Sequence, residues 1–282
     1  MSSPQVISTP TAMSVWSEAA RARGERIAFV PTMGALHAGH VSLLSAARKV
    51  ANRVVLSIFV NPTQFGPQED LARYPRDLAG DLAKAASANT DVAFVPEAND
   101  MYPPEAQTFI DVRDVSQGLC GARRPGHFAG VATVVCKFFN IVRPHLAIFG
   151  EKDFQQLAVI RRMVRDLNMP VEIVGEPTVR EADGLAMSSR NAYLSPTERG
   201  RALSISQGLS MARERFAAGE RDAGGLVNTA LAILNEHVDR IDYLEIRDAD
   251  TLRPVDRLDR PAVLLAAVYV GATRLIDNVR LG

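Results

Sequence analysis

The sequence predicts a two-part α/β chain: a parallel sheet of βαβ units up to residue 178, then a smaller α+β domain over 179–282. Three observations carry this. Short runs rich in β-branched and aromatic residues alternate with amphipathic segments of helical length. Most of those runs are almost continuously apolar, as strands are when both faces of a sheet are covered. After residue 180 a polar block, Arg180-Glu-Ala-Asp-Gly-Leu-Ala-Met-Ser-Ser-Arg-Asn191, gives way to helices followed by paired strands.

In chain order, Ile27–Val30 is the first strong strand, and Val41–Val50 has the apolar spacing of a helix. Val54–Val60 is the next strand, Leu71–Ala88 a helix and Val92–Val95 a strand. Val131–Val142 reads as a helix and Leu146–Phe149 as a strand. Phe154–Leu167 is a helix with Phe154, Leu157, Ile160, Val164 and Leu167 on one packed face. Val171–Val174 is the last strand of the series, while Pro67–Asp70 and Asn99–Pro104 read as loops. Ser195-Pro-Thr-Glu198 starts a helix, with Ser195 as N-cap, Pro196 at the first position and Glu198 closing a capping box; it should run to about Ala217. A second helix from about Asp222 to His237 precedes strands at Tyr243–Ile246, Val263–Val270 and Arg274–Val279, with Gly271 placed for a hairpin turn.

Composition narrows the function classes. Apolar residues make up 47% and charged residues 23%, which excludes disorder for most of the chain. Basic and acidic residues both number 32, so no global positive field exists to draw in a nucleic acid or an anionic membrane. Any anion must be recognised locally. The longest strongly apolar stretch without a charge, Ala262–Thr273, is too short to span a bilayer. Met1–Pro10 lacks the basic start and apolar core of a secretory signal, and Cys120 and Cys136 have neither disulfide-framework nor metal-ligand spacing. The expected home is the cytoplasm.

The most informative segment is Pro31-Thr-Met-Gly-Ala-Leu-His-Ala-Gly-His40, which leaves a strand and enters a helix. In an open α/β sheet that turn lies at the carboxyl edge, where ligands sit and the next helix offers unpaired N–H groups. Gly34 and Gly39 let a phosphate approach the backbone, and His37 and His40, three apart, share a face if the helix begins near them. Two imidazoles over a helix start stabilise charge on a phosphoryl group; the alternative is that one caps the helix and the other packs. A zinc site has no nearby ligand to complete it. Phe149-Gly-Glu-Lys-Asp-Phe-Gln-Gln156 also joins a strand to a helix. There Lys152 either neutralises phosphate or is solvated, and Asp153 either binds ribose hydroxyls or hydrated magnesium or caps the helix. Asn61-Pro-Thr-Gln-Phe-Gly66 brings the uncharged amide of Gln64 to the same edge, where with Gln156 it would orient a hydroxylated carboxylate.

The first block has the His-x-Gly-His form of the adenylyl-transferring nucleotidyltransferase superfamily, which includes the class I aminoacyl-tRNA synthetases. Met187-Ser-Ser-Arg190 resembles the later, mobile phosphate-binding element of those proteins. Taken with Ser57–Gly66, Arg124-Pro-Gly-His-Phe-Ala-Gly-Val131, Gly150–Gln156 and Pro177–Asn191, the chain resembles the pantoate–β-alanine ligase family from Val6 to about Asn278.

The resemblance implies a Rossmann-like nucleotide- and pantoate-binding domain over 1–178, a small lid domain over 179–282, and a cytoplasmic homodimer. It implies an ATP site lined by Met33, Gly34, Ala35, Leu36, His37, Ala38, Gly39, His40, Gly150, Glu151, Lys152, Asp153, Val179, Met187, Ser188, Ser189 and Arg190. His40 is the family's named catalytic residue, with His37, Lys152 and Arg190 assisting, and Gln64 and Gln156 bind pantoate. ATP is a substrate together with Mg2+. The metal ligands are open: some members carry adjacent carboxylates where this chain has Gly80 before a single Asp81, leaving Asp81 and Asp153 as candidates. The implied reaction joins (R)-pantoate to β-alanine through pantoyl adenylate, releasing AMP and pyrophosphate. Its rivals are a nucleotidyltransferase acting on a phosphorylated small molecule, which wants a second basic cluster, and a non-catalytic nucleotide sensor, which needs neither His40 nor the serines.

Overall fold

The apolar runs near the start of the chain form the centre of a six-stranded parallel sheet in the computed structural model, which describes residues 3–67 and 69–282. Gln68, inside the loop expected at Pro67–Asp70, lies outside the described residues, as do Met1 and Ser2. The strands are β1 (Gln5–Ile7), β2 (Ile27–Thr32), β3 (Arg53–Ile58), β4 (Val92–Phe94), β5 (Leu146–Gly150) and β6 (Glu172–Glu176). Their order is β1-β4-β3-β2-β5-β6, every neighbouring pair parallel. From β2 the chain builds outward through β3 and β4, then returns to lay β5 and β6 on the other side of β2. The order thus reverses between β2 and β5, the position where an open α/β sheet leaves a crevice at its carboxyl edge.

The helices are α1 (Pro10–Ala22), α2 (Ala38–Val50), α3 (Leu78–Ser87), α4 (Ala98–Met101), α5 (Leu119–Arg123), α6 (His127–Val142), α7 (Phe154–Asp166), α8 (Pro196–Ala217) and α9 (Ala223–Leu234). Side chains alternate across β2, so its two faces meet different partners. Phe29 packs edge-on against Phe138 and Phe139 of α6, with ring centroids 5.5 and 6.5 Å away. Ala28 and Val30 face Leu43, Leu44 and Ala47 of α2 and Ala85 of α3.

Two expectations are corrected and one element was not foreseen. The stretch expected as a loop at Asn99–Pro104 begins inside α4 (Ala98–Met101). The helix expected over Leu71–Ala88 is a single 3-10 turn at Leu71–Arg73 followed by α3. Pro75 bars helical backbone at Tyr74, and the Asp77 side chain starts a new helix by accepting from the Gly80 N–H at 2.9 Å. The edge strand β1 went unseen because it is three residues long with only Ile7 buried, and its ladder partner Val92–Phe94 is remote in sequence.

The chain divides into two compact units: Met1–Arg113, Arg124–Glu151 and Val159–Pro177 in one, and Asp114–Arg123, Lys152–Ala158 and Thr178–Gly282 in the other. In the second, β7 (Arg240–Asp248), β8 (Ala262–Val270) and β9 (Thr273–Leu281) form an antiparallel sheet covered by α8 and α9. Leu264, Ala266 and Val268 of β8 pack with Ile205 and Leu209 of α8 and Leu226 and Ala230 of α9. Ser195 and Glu198 form the expected capping box, and Gly271 takes a positive φ of 57° at the β8–β9 turn.

The two short stretches in this unit precede residue 178. Gln155 explains their place: its Nε2 donates to the carbonyls of Val115, Gln117 and Gly118 at 3.1, 3.2 and 3.3 Å. Its Oε1 accepts from the Cys120 N–H at 3.0 Å. Arg123 donates to the Asp242 carbonyl at 2.8 Å. Such side-chain bonds across long separations leave no periodic trace in a sequence.

Candidate active site

In the first unit, three loops leave the carboxyl ends of central strands: Met33–His37 after β2, Phe59–Gln64 after β3, and the turn at Glu151 after β5. The first is tightly organised. Thr32 Oγ1 donates to the Ser57 carbonyl at 2.6 Å and accepts from the Gly34 N–H at 3.2 Å. Gly34 and Ala35 follow in left-handed backbone, with φ of 84° and 49°. Asp81 of α3 accepts from the Ala35 N–H at 2.9 Å and the Leu36 N–H at 2.6 Å.

His37 is the N-cap of α2, and the two histidines form a capping box. His37 Nδ1 accepts from the Gly39 N–H at 3.1 Å, and His40 Nδ1 accepts from the His37 N–H at 3.3 Å. Each Nδ1 thus serves the backbone as an acceptor, a role open to the ring form that carries its proton on Nε2. The rings lie 4.0 Å apart, tilted by 32°. The backbone caps of α2 engage the Nδ1 atom of each ring. Most N–H groups of this turn are thus bonded within the protein.

Gln64, 9% exposed, is held at both ends. Its Oε1 accepts from Asn61 Nδ2 at 3.1 Å, and its Nε2 donates to Met33 Sδ at 3.1 Å, which joins the first two loops. Asn61, also buried, donates to the Gly130 carbonyl at 3.2 Å and accepts from the Thr63 hydroxyl at 3.0 Å; that hydroxyl lies 3.2 Å from Tyr102 Oη. The Gln64 carbonyl meets His127 Nδ1 at 2.9 Å, which makes that nitrogen the donor, while His127 Nε2 accepts from Arg124 at 3.0 Å. Arg124 makes twin 2.7 Å bonds to Glu69. Burial works to raise the Glu69 carboxyl, but Arg124 outweighs it and holds the group below the usual carboxylate range.

The remaining expected residues lie in the second unit: Lys152, Asp153, Gln156, Val179 and Met187–Arg190. Gln156 is partly exposed beside the buried Gln155, and the Lys152 carbonyl accepts from Asn278 at 3.0 Å. Residues 179–187 turn back on themselves: the Met187 N–H donates to the Val179 carbonyl at 3.0 Å and Gly184 sits at the bend with φ 93°. Arg180 pins this segment to the buried Asp277, and Arg199 to Glu181 and Asp183. Ser188 caps the turn Ser189–Tyr193, accepting from the Arg190 N–H at 3.2 Å.

Both oxygens of Asp81 are engaged by N–H groups, and among the described residues no group of three His, Cys, Asp or Glu side chains could hold a metal ion. Sequence reasoning missed the supports of Gln64, namely Asn61, Tyr102, Arg124, His127 and Gly130. Asn61, Arg124, His127 and Gly130 stood inside the blocks that carried the family resemblance, but Tyr102 had no such signal.

Residues 5–280 match the family model described as pantoate-beta-alanine ligase. Pantothenate synthetase 1 of Bradyrhizobium diazoefficiens is 60% identical over 91% of each chain, and the Geobacter sulfurreducens pantothenate synthetase is 56% identical over 99% of each. The crystal structure of pantothenate synthetase from Thermus thermophilus superposes with a TM-score of 0.92 at 44% identity, covering 98% of both chains. A Francisella tularensis pantoate-beta-alanine ligase, solved with beta-gamma ATP and beta-alanine, superposes with a TM-score of 0.82 at 33% identity, covering 98% of this chain and 97% of that one.

Proposed function

The chain belongs to the pantoate–β-alanine ligase family, and from that membership we propose how its own residues carry out the reaction. It is an ATP-dependent ligase that condenses (R)-pantoate with β-alanine to pantothenate. A carboxylate is a poor acyl donor because oxide would have to leave. In our reading pantoate first attacks the α-phosphorus of ATP; the new P–O bond gives pantoyl adenylate as the bond to pyrophosphate breaks. The β-alanine amine then attacks the acyl carbon, AMP leaves with the former carboxylate oxygen, and the nitrogen loses a proton. No side-chain nucleophile is required.

The observation that carries the residue assignment is the close pair His37 and His40 at the carboxyl end of β2, with ring centroids 4.0 Å apart and each Nδ1 accepting a backbone N–H. In the ring form that carries its proton on Nε2, two fixed N–H donors suit charge growing on phosphoryl oxygens and need no reorganisation as it grows. Met33–His40, Gly150–Asp153, Val179 and Met187–Arg190 bind ATP in this reading, with Lys152 and Arg190 offsetting phosphate charge. Gln64 and Gln156 hold pantoate, and the immobilised amide of Gln64 supports that role. Residues 1–178 act as the nucleotide- and pantoate-binding domain and 179–282 as a lid.

Among the described residues no group of three His, Cys, Asp or Glu side chains could hold a metal ion; we assign Mg2+ to the ATP phosphates, and no step is routed through it. We assign a homodimer and a cytoplasmic location on family membership; among the described residues no helix is long and apolar enough to cross a membrane. The test is isotopic. Oxygen-18 in the pantoate carboxylate should appear in AMP after turnover. Label retained wholly in pantothenate, or ADP as product, would reject acyl adenylation.

A further inference from the structure

Asp81 is a buried carboxylate, 1% exposed, on a helix that does not need it. The start of α3 is capped by Asp77, and its sheet contacts are made by Ala85, with Ala88 just beyond its end. Asp81 instead reaches 45 residues back along the chain, taking the Leu36 N–H at 2.6 Å on one oxygen and the Ala35 N–H at 2.9 Å on the other. Those two N–H groups converge because Gly34 and Ala35 are both left-handed, a conformation an alanine rarely adopts. Successive N–H groups in such a turn form a small anion-binding concavity. The anion in this one belongs to the protein. The fit is close: a Cβ on Gly34 would lie 3.0 Å from Asp81 Oδ2 and 3.1 Å from Ile58 Cγ2.

We propose that Asp81 is a positioning residue for adenylate formation, an internal anion that holds Gly34–Leu36 so that His37 and His40 are aimed at the nucleotide. The inference rests on the reading that this turn binds ATP. The next residue after the clasped amides is His37, whose extended backbone and side chain together begin α2, where backbone N–H groups engage the Nδ1 of both rings. Because the N–H groups of Ala35 and Leu36 donate to Asp81, the carboxylate acts through the shape of the turn and the histidines that follow it.

The experiment uses the full-length enzyme and measures the two half-reactions separately. Asparagine can offer only one acceptor and sets an NH2 group against the other amide. Asp81→Asn should raise KM for ATP, or lower the rate of adenylate formation, at least about tenfold, as displacement of a reacting group by a fraction of an ångström does. Reaction of preformed pantoyl adenylate with β-alanine should change by less than about twofold. Equal loss in both half-reactions would overturn the inference, as would unchanged ATP kinetics in a folded variant. Restoration of activity by raising Mg2+ or Mn2+ would overturn it too, in favour of metal ligation. His40→Ala, run in parallel, separates the two levels: if it leaves adenylate formation intact, the reading of the turn has failed. If His40→Ala is impaired and Asp81→Asn is not, only the role of Asp81 has failed. Should Asp81→Asn not fold, amide exchange in the wild-type enzyme decides: Ala35 and Leu36 should be strongly protected without ATP, and rapid exchange there would refute the clasp.

Discussion

Replacing Gly130 with alanine tests the role proposed for Gln64 in holding pantoate. Gly130 lies in the first turn of α6, where that helix meets the backbone carrying Gln64. A Cβ there would sit 2.4 Å from the Thr63 carbonyl oxygen, 2.6 Å from its carbon and 2.8 Å from Gln64 Cα. A relaxed carbon–oxygen contact needs about 3.3 Å, so helix and loop must part by roughly 0.9 Å. The neighbour is backbone and cannot swing away. Overpacking of this kind costs about 1–3 kcal/mol, partly offset by the up to ~1 kcal/mol that alanine gains over glycine in a helix. At about 2–4 °C per kcal/mol, the melting temperature should fall by several degrees. Function should suffer more, because the bond from Asn61 to the Gly130 carbonyl orients the amide that bonds Gln64. A displacement near 1 Å at a substrate contact costs about 10²-fold in rate, so kcat/KM for pantoate should drop on that scale while KM for ATP holds. Gly200→Ala is the control: nothing lies within 4 Å of a Cβ in that part of α8, and this variant should melt slightly higher with unchanged kinetics. A Gly130→Ala enzyme with wild-type pantoate kinetics and no lower melting point would refute the reasoning.

Three further outcomes are expected. His40→Ala should slow turnover by roughly 10²–10³ through loss of a phosphoryl donor, while loss of its cap costs only ~1 kcal/mol, so unfolding or aggregation would show a structural role alone. Gln64→Ala and Gln156→Ala should each weaken pantoate binding with ATP affinity kept within roughly twofold; equal losses for both substrates would contradict a pantoate clamp. The Glu69–Arg124 pair sets an acid limit. Since the folded pKa of Glu69 is depressed, its stabilisation is present above the unfolded value, near about 4.3, and is lost as pH falls through the lower folded value. Glu69→Gln should therefore lower the melting point at neutral pH and flatten its decline below about pH 4.5; an unaltered acid limb would exclude the pair as its source.

Much of this architecture was legible because it is written in near neighbours. Continuous apolar runs mark β2, β3 and β5 as covered strands, and residues three apart close the capping box of Ser195 and Glu198. Leu71–Ala88 misled because its apolar spacing suits one helix, while Pro75 and the Asp77 cap split it. A single backbone constraint outweighs a weak periodicity.

The positions of the site blocks at strand ends were likewise open to a reader of the chain, since a strand-to-helix turn in a parallel sheet must emerge at the carboxyl edge. What holds those blocks in shape was not. Asp81 on the amides of Ala35 and Leu36, His127 and Arg124 on the Gln64 carbonyl, and Gly130 against Thr63 join residues dozens of positions apart. Local pattern reports which backbone form a segment prefers and which face it buries. The partners of a buried polar group depend on strand order and helix approach, and these arise only when the whole chain has packed.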